Sequence, residues 1–244
     1  MNIVMPMAGR GSRFAQLGIA TPKPLIPVRG KPMYAWATEG LPLSLARRLI
    51  FVCLAEHLVE RELEHDIKSR YAKYDPTIIS LDHVTEGQAS TVLTAREWID
   101  NDEPLLIFNA DTYCPTNLEQ SLDAMGPTVD GVLDVFRAEG DKWSFARVDE
   151  QNRVLETAEK RRISPWATTG LYYFRRGRDF VKHASDMIAA NERSNNEFYV
   201  APVYNRLIAA GADIRANPLE RVWVLGTPED LDNFEREYPR SARA

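Results

Sequence analysis

The sequence predicts an α/β fold: a mostly parallel sheet covered by helices on both faces, with antiparallel strands added in the second half. Three observations predict it. Short apolar runs alternate with amphipathic stretches through the first 126 residues, the pattern of strands joined by crossover helices. Beyond that point strand-like runs follow one another with brief connections, which suits antiparallel pairing. The chain has 244 residues, 44% of them hydrophobic, enough for a sizeable core.

Residues 3–7, 49–54, 77–81 and 105–109 are apolar runs too short for helices and read as strands buried on both faces. Between them 32–39, 56–71 and 89–99 read as helices. Within 56–71, Leu58, Val59, Leu63, Ile67 and Tyr71 fall at helical spacing. In the second half 131–136, 144–148, 153–156 and 168–174 read as strands, 177–190 and 199–210 as helices, and 222–225 as a short strand. A last helix opens at Thr227. That residue suits the N-cap, Pro228 the first helical position, and Glu229 and Asp230 the positive end of the dipole. Residues 239–244 read as a frayed tail. No Gly-, Pro- or Ser-rich linker divides the chain, so 1–244 reads as one domain.

Composition excludes several functions. A net charge of −5 lacks the basic surface that non-specific nucleic-acid binding needs. No stretch approaches the roughly 20 apolar residues of a membrane span, and the first residues lack the basic region and apolar run of a signal peptide. Cys53 and Cys114 fit no metal-ligand spacing. Together these predict a cytoplasmic protein without nucleic-acid or membrane partners.

One segment departs from the acidic average. The first acidic residue is Glu39, and before it stand Arg10, Arg13, Lys23, Arg29 and Lys31. These cations surround the loop Ala8, Gly9, Arg10, Gly11, Ser12, Arg13, which follows the first strand. Ligands of open α/β sheets sit at the carboxyl ends of strands, and glycines let backbone N–H groups approach an anion. The expected anion is a triphosphate. A dinucleotide fingerprint is excluded, because Phe14 occupies the third glycine position and Arg29 and Lys31 stand where a ribose-binding acid belongs. The Gly-Lys-Ser/Thr of a P-loop is absent. Pro22 and Pro24 flank Lys23, which predicts a pre-organised cation in an extended segment.

Gly9, Gly11, Ser12, Arg13 and Phe14, followed by the run Pro22, Lys23, Pro24, Leu25, Ile26, Pro27, Val28, resemble the signature of nucleotidyltransferases that make nucleotide sugars. That family includes glucose-1-phosphate thymidylyl- and uridylyltransferases and related small cytidylyltransferases. The resemblance implies a Rossmann-like three-layer α/β/α nucleotidyltransferase fold with a mixed, mostly parallel sheet and a small antiparallel acceptor lobe. It also implies an NTP-binding half over residues 1–126 and an acceptor-binding half over 127–244.

Further stations follow in order. Thr85 to Thr91 resembles the family's base-recognition loop, which implies nucleotide binding by Gln88, Ala89 and Ser90, the last standing where relatives often have glycine. Asp111, closing the apolar run 105–109, resembles the family's metal aspartate and implies Mg²⁺. Glu159, Lys160 and Gly170 resemble the acceptor segment, and Glu197 a later acceptor contact. Many relatives carry a second metal aspartate just before the Gly-Thr of the last strand. Here Val222, Trp223, Val224 and Leu225 precede Gly226 and Thr227, so the second ligand is open, with Glu220 the nearest upstream acid.

The reaction implied is attack of a phosphorylated acceptor on the α-phosphorus of an NTP, with pyrophosphate released and a nucleotide-linked precursor for bacterial surface polysaccharide formed. Arg13, Lys23 and Asp111 are the expected catalytic residues. A phosphate monoester is largely dianionic at neutral pH, so no base is needed, and His57, His65, His83 and His183 lie outside every motif. Three alternatives stand at this level. One is a cytidylyltransferase for a phosphocholine-like acceptor, with Trp143 and Trp166 lining an aromatic pocket. Another is a glycosyltransferase using Asn109 and Asp111 as a degenerate metal motif. The third is a nucleotide sensor without catalysis. The base and the oligomeric state stay open.

Overall fold

The computed structural model describes residues 1–59 and 63–239. Its central feature is a nine-stranded mixed sheet. Asn2–Pro6 lies between Arg48–Leu54 and Leu105–Phe108, parallel to both, and Thr77–Leu81 adds to Arg48–Leu54, again parallel. Trp166–Phe174 runs antiparallel beside Leu105–Phe108 and joins the first half to the second. It also pairs antiparallel with Gly131–Arg137 and Ser144–Val148, and Val154–Glu159 completes that side.

Two faces arise from the two-residue period of a strand. Val4, Ile50, Val52 and Ile107 point to one side, against Ala89, Val92, Phe180, Val181 and Tyr204 from helices. Ile3, Met5, Phe51, Leu106 and Phe108 point to the other, against Tyr34, Ala37, Leu63 and Ile67. The strands Asn2–Pro6, Arg48–Leu54 and Leu105–Phe108 are thus buried on both faces, as their unbroken apolar runs require. Thr77–Leu81 departs from that expectation. It is an edge strand and only half-buried.

Several boundaries shift for local reasons. The helix expected over 89–99 divides into Gln88–Leu93 and Arg96–Ile99. At the break the N–H groups of Thr94 and Ala95 bond three residues back, to Thr91 and Val92, a tightening that ends an α-helix. The helix expected from 199 starts as Val203–Ala209, after Pro202, whose missing N–H suits a helix entrance. The stretch 56–71 forms Ala55–Val59 and Leu63–Arg70, and residues 60–62 of that expectation lie outside the described residues. So do residues 240–244 of the expected tail. The strand Ile214–Pro218, parallel to Gly131–Arg137, was not expected from the sequence. No described helix is long and apolar enough to cross a membrane.

A third cluster lies off the sheet. Phe14, Ile26, Val28, Met33 and Trp36 of the amino-terminal segment pack with Leu225 and Phe234. The helix Pro228–Glu237 closes over them, with Thr227 capping it by accepting from the Asp230 N–H.

Asp134, on Gly131–Arg137, is fully buried. Its Oδ1 accepts from the Asn217 amide at 2.7 Å, but Oδ2 has no hydrogen-bond partner among the described residues. Burial pushes its pKa up to about 6. A carboxyl raised from 3.8 binds its proton more tightly folded than unfolded. Its contribution is favourable below pH 3.8 and is lost as pH rises toward 6, by about 3 kcal/mol at 1.36 kcal/mol per pKa unit. Asp134→Asn should raise Tm at pH 7.5 relative to the parent chain. That advantage should vanish near pH 4, checked by thermal unfolding at both pH values.

Candidate active site

A cleft of about 880 Å³ opens at the carboxyl ends of Asn2–Pro6 and Leu105–Phe108, within the usual size range of ligand pockets. Residues from both halves of the chain line it. At one end the loop after the first strand turns into the short helix Ser12–Ala15 through Gly11, whose φ is +61°. A Cβ at Gly11 would lie 2.8 Å from the Lys23 Cβ. The missing side chain therefore permits both the left-handed turn and the close seating of Lys23.

Lys23 does not lie in an extended segment. It opens a single 3₁₀ turn, Lys23–Leu25, entered from the extended Pro22. The turn aims its ammonium across the cleft, where Nζ forms an ion pair with Asp111 Oδ2. Asp111 follows directly on Leu105–Phe108, so the strand end fixes its position.

The five amino-terminal cations separate into two groups. Arg10 and Arg13 line the cleft, and their guanidinium groups pair with none of the described residues. Arg29 and Lys31 do not reach it. Arg29 pairs with Glu235 and lies over the Tyr238 ring, while Lys31 pairs with Glu39 and lies 3.9 Å from the Trp36 ring centroid. The expected trap of five cations thus reduces to Arg10, Arg13 and Lys23, because the other two hold the third cluster together.

Gln88 enters the cleft at the start of Gln88–Leu93, and its amide Nε2 donates to Asn109 Oδ1. Ala89 and Ser90 fall outside the cleft. The Ala89 N–H is taken by the Phe198 carbonyl at 2.8 Å, and the side chain is wholly buried. In a helix, neighbours of an inward-facing residue necessarily turn away.

At the other end stand Glu159, Lys160, Gly170 and Glu197, all on the cleft wall. Ser144 Oγ donates to Glu159 Oε2, and burial raises the Glu159 pKa despite that bond. Lys160 has φ +48° and donates to the Tyr199 hydroxyl at 2.6 Å. Burial opposes its charge, but the bond to Tyr199 and the carboxylates of Glu159 and Glu197 prevail and raise its pKa. A non-glycine residue in the left-handed region is uncommon, and here it turns a charged side chain into the cleft.

Sequence reasoning missed other wall residues. Tyr199 and Asn109 hold Lys160 and Gln88, and Thr169, Arg193, Lys142 and Asp230 also face the cleft. Lys160 and Tyr199, and Gln88 and Asn109, are far apart in sequence, so no spacing marks those pairings. Trp143 lines the cleft, but Trp166 lies under Arg137, outside it. Tyr172 faces the cleft while its neighbour Tyr173 packs on the opposite face. Glu220 is exposed and His83 lies beside a separate small pocket.

The family described as nucleotidyl transferase matches residues 2–238. The chain belongs to that family. Among solved structures, this nucleotidyl transferase resembles a nucleoside-diphosphate-sugar pyrophosphorylase from Vibrio cholerae RC9. The TM-score is 0.82 at 28% identity, covering 96% of this chain and 100% of the other. It shares its fold with a putative glucose-1-phosphate thymidylyltransferase from Bacillus anthracis, at TM-score 0.80 and 16% identity over 96% and 93% of the two chains. Among curated relatives, a UTP–glucose-1-phosphate uridylyltransferase of Haloferax volcanii is 26% identical over 246 residues, covering 97% of this chain and 96% of that protein. A mannose-1-phosphate guanylyltransferase catalytic subunit beta of Danio rerio is 32% identical over 118 residues, 47% of this chain. The aligned part spans only 31% of that protein, about a third of its length.

The close approach of Gly11 and Lys23 shapes one end of the nucleotidyl transferase's cleft. Gly11→Ala combines a strained φ with a backbone-proximal clash. It should weaken triphosphate binding by roughly tenfold, on the order of the 1–3 kcal/mol such strain costs. Calorimetric titration with inorganic triphosphate checks this.

Proposed function

We propose that the chain joins a nucleoside triphosphate to a sugar 1-phosphate, releasing pyrophosphate and forming a nucleotide-linked sugar. The observation that carries this reading is the cleft itself. It holds Lys23 and two guanidinium groups that pair with none of the described residues at one end, Asp111 beside them, and the Glu159–Lys160 pair at the other. The family, and the sugar-phosphate transferases among the relatives, support the same assignment. The resemblance further supports a role in supplying surface-polysaccharide precursors.

Arg13 and Arg10 bind the β- and γ-phosphates and hold the leaving pyrophosphate. Lys160 holds the acceptor phosphate, with Glu159 and Glu197 beside it to accept hydroxyl hydrogen bonds from the sugar. Gln88, steadied by Asn109, meets the base edge. An acceptor phosphate oxygen attacks the α-phosphorus, a new P–O bond forms, and the bond from that phosphorus to the bridging oxygen of the β-phosphate breaks. The electron pair leaves with pyrophosphate. Lys23 lies between the incoming oxygen and the α-phosphate, where added equatorial charge develops, and stabilises it without reorganisation.

Asp111 is the residue that would hold Mg²⁺. Among the described residues no three His, Cys, Asp or Glu side chains gather at one point. A sparse carboxylate donor set suits Mg²⁺, which is usually held by one or two carboxylates plus substrate phosphates. When bound, the ion screens phosphate charge and orients an in-line displacement.

A cage built from Trp143 and Trp166 is disfavoured, since Trp166 lies under Arg137 outside the cleft and the Trp143 ring already carries the Lys142 ammonium, 4.6 Å from its centroid. Asn109 is likewise occupied with Gln88, which disfavours the glycosyltransferase reading.

The test pairs each NTP with sugar 1-phosphates and phosphocholine in the presence of Mg²⁺ and reads pyrophosphate. Release with a sugar 1-phosphate is expected. Turnover with phosphocholine alone would overturn the acceptor assignment, and silence with every pair the reaction. Lys23→Ala should lower kcat by on the order of 10²–10³, the loss of one pre-organised donor. Asp111→Ala should shift the Mg²⁺ activation curve to higher concentration, and an unchanged curve would remove Asp111 from metal binding.

A further inference from the structure

The last strand before Gly226 carries no acid, yet a second carboxylate reaches the phosphate end from elsewhere. Asp230 sits in the first turn of Pro228–Glu237, lines the cleft, and its side chain is only 15% exposed. Gly226 lies between it and Asp111. A Cβ built on Gly226 would lie 3.3 Å from Asp111 Oδ2 and 3.8 Å from Asp230 Oδ2. The two carboxylates therefore converge on one small space, left open because residue 226 has no side chain.

Two carboxylates do not converge without a counter-charge, and here each has one. The Lys23 ammonium pairs with Asp111, and the Lys142 ammonium stands 3.9 Å from Asp230 Oδ1. The position between the acids is thus flanked by cations from the protein's own side chains. When a triphosphate draws Lys23 toward its α-phosphate, Asp111 loses its partner. The space over Gly226 then holds two carboxylates beside a polyphosphate, a setting that requires a cation.

We propose that Asp230 is the second protein carboxylate toward the divalent cation of this site, delivered by the carboxy-terminal helix. This rests on reading the cleft as a triphosphate site. Mg²⁺ keeps several of its waters, so a carboxylate can serve it directly or through one retained water. The role is compatible with the helix cap. Asp230 Oδ2 accepts from Thr227 Oγ1 at 2.7 Å, which fixes the carboxylate with Oδ2 beside Gly226 and Oδ1 toward Lys142, and a carboxylate oxygen has a second lone pair to offer.

The experiment measures binding of inorganic triphosphate by calorimetry, with and without Mn²⁺, on the full chain. Metal-free affinity reads the cations Arg10, Arg13 and Lys23. The gain on adding Mn²⁺, together with the Mn²⁺ electron paramagnetic resonance signal of the complex, reads the carboxylates. In Asp230→Asn the gain should fall at least tenfold, the lower end of what loss of a supporting metal contact costs. Metal-free affinity should be unchanged or slightly higher. Thr227→Ala removes the cap and keeps the carboxylate. It should lower Tm while retaining the gain within threefold. An undiminished gain in Asp230→Asn overturns the proposal, as does an equal loss in both variants, which would make Asp230 a helix cap only. No triphosphate binding by the parent chain would instead defeat the underlying reading of the cleft, and this proposal with it.

Discussion

The contact between Lys23 and Asp111 joins the two pieces of chain from which one end of the cleft is built. One partner comes from a 3₁₀ turn in the amino-terminal segment, the other from the end of a central strand. Both side chains are about three-quarters withdrawn from water, with 21% and 30% exposure. Either charge alone there would be costly. The pair lets the empty cleft keep both groups charged and aimed. In the reaction proposed above, each trades its partner for an equivalent one: Lys23 takes a phosphate oxygen and Asp111 takes the cation. The exchange conserves charge, so little of the binding energy is consumed in separating them. Arg10 and Arg13 have no such partner among the described residues, and in the proposed reaction their uncompensated charge would draw a triphosphate in.

The sheet makes this arrangement rigid. Asn2–Pro6 and Leu105–Phe108 are hydrogen-bonded neighbours, so the loop after one and Asp111 after the other emerge side by side. Trp166–Phe174 then runs back beside Leu105–Phe108 and places Gly170 and Tyr172 on the same cleft as the phosphate loop. One strand, Leu105–Phe108, thus registers the Lys23 end of the cleft against the Lys160 end.

What was legible in the sequence was local. Apolar runs of fixed length marked the parallel strands, and the Gly11–Arg13 and Lys23 segments marked residues that line one end of the cleft without reference to anything distant. The charge count around residues 10 to 31 was legible but incomplete. Arg29 finds Glu235, more than two hundred positions away, and a pairing over that separation leaves no periodic trace. Ala89 and Ser90 followed from a loop read as a block, whereas a helix entrance exposes residues individually. Lys23 looked extended because each flanking proline disfavours an ordinary α-helix, yet a single 3₁₀ turn accommodates both. The strand Ile214–Pro218 escaped because Arg215 and Asn217 interrupt its apolar pattern. Asn217 is buried all the same, giving its amide to Asp134.

The carboxy-terminal helix shows why the phosphate end cannot be understood from the first half alone. Its aromatic residues Phe234 and Tyr238 lie edge-on to Trp36, with Tyr113 and Trp223 completing the group. Arg29 is clamped over Tyr238 and bonded to Glu235. The same cluster contains Phe14, from the helix that carries Arg13, and Ile26 and Val28, which follow the Lys23 turn directly. One small core therefore supports Arg13 and Lys23 on one side and the helix bearing Asp230 on the other. A packing defect at Trp36 or Phe234 moves all of these together. Apolar contact thus holds the backbones that carry these groups, while the Lys23–Asp111 and Lys142–Asp230 contacts aim the side chains.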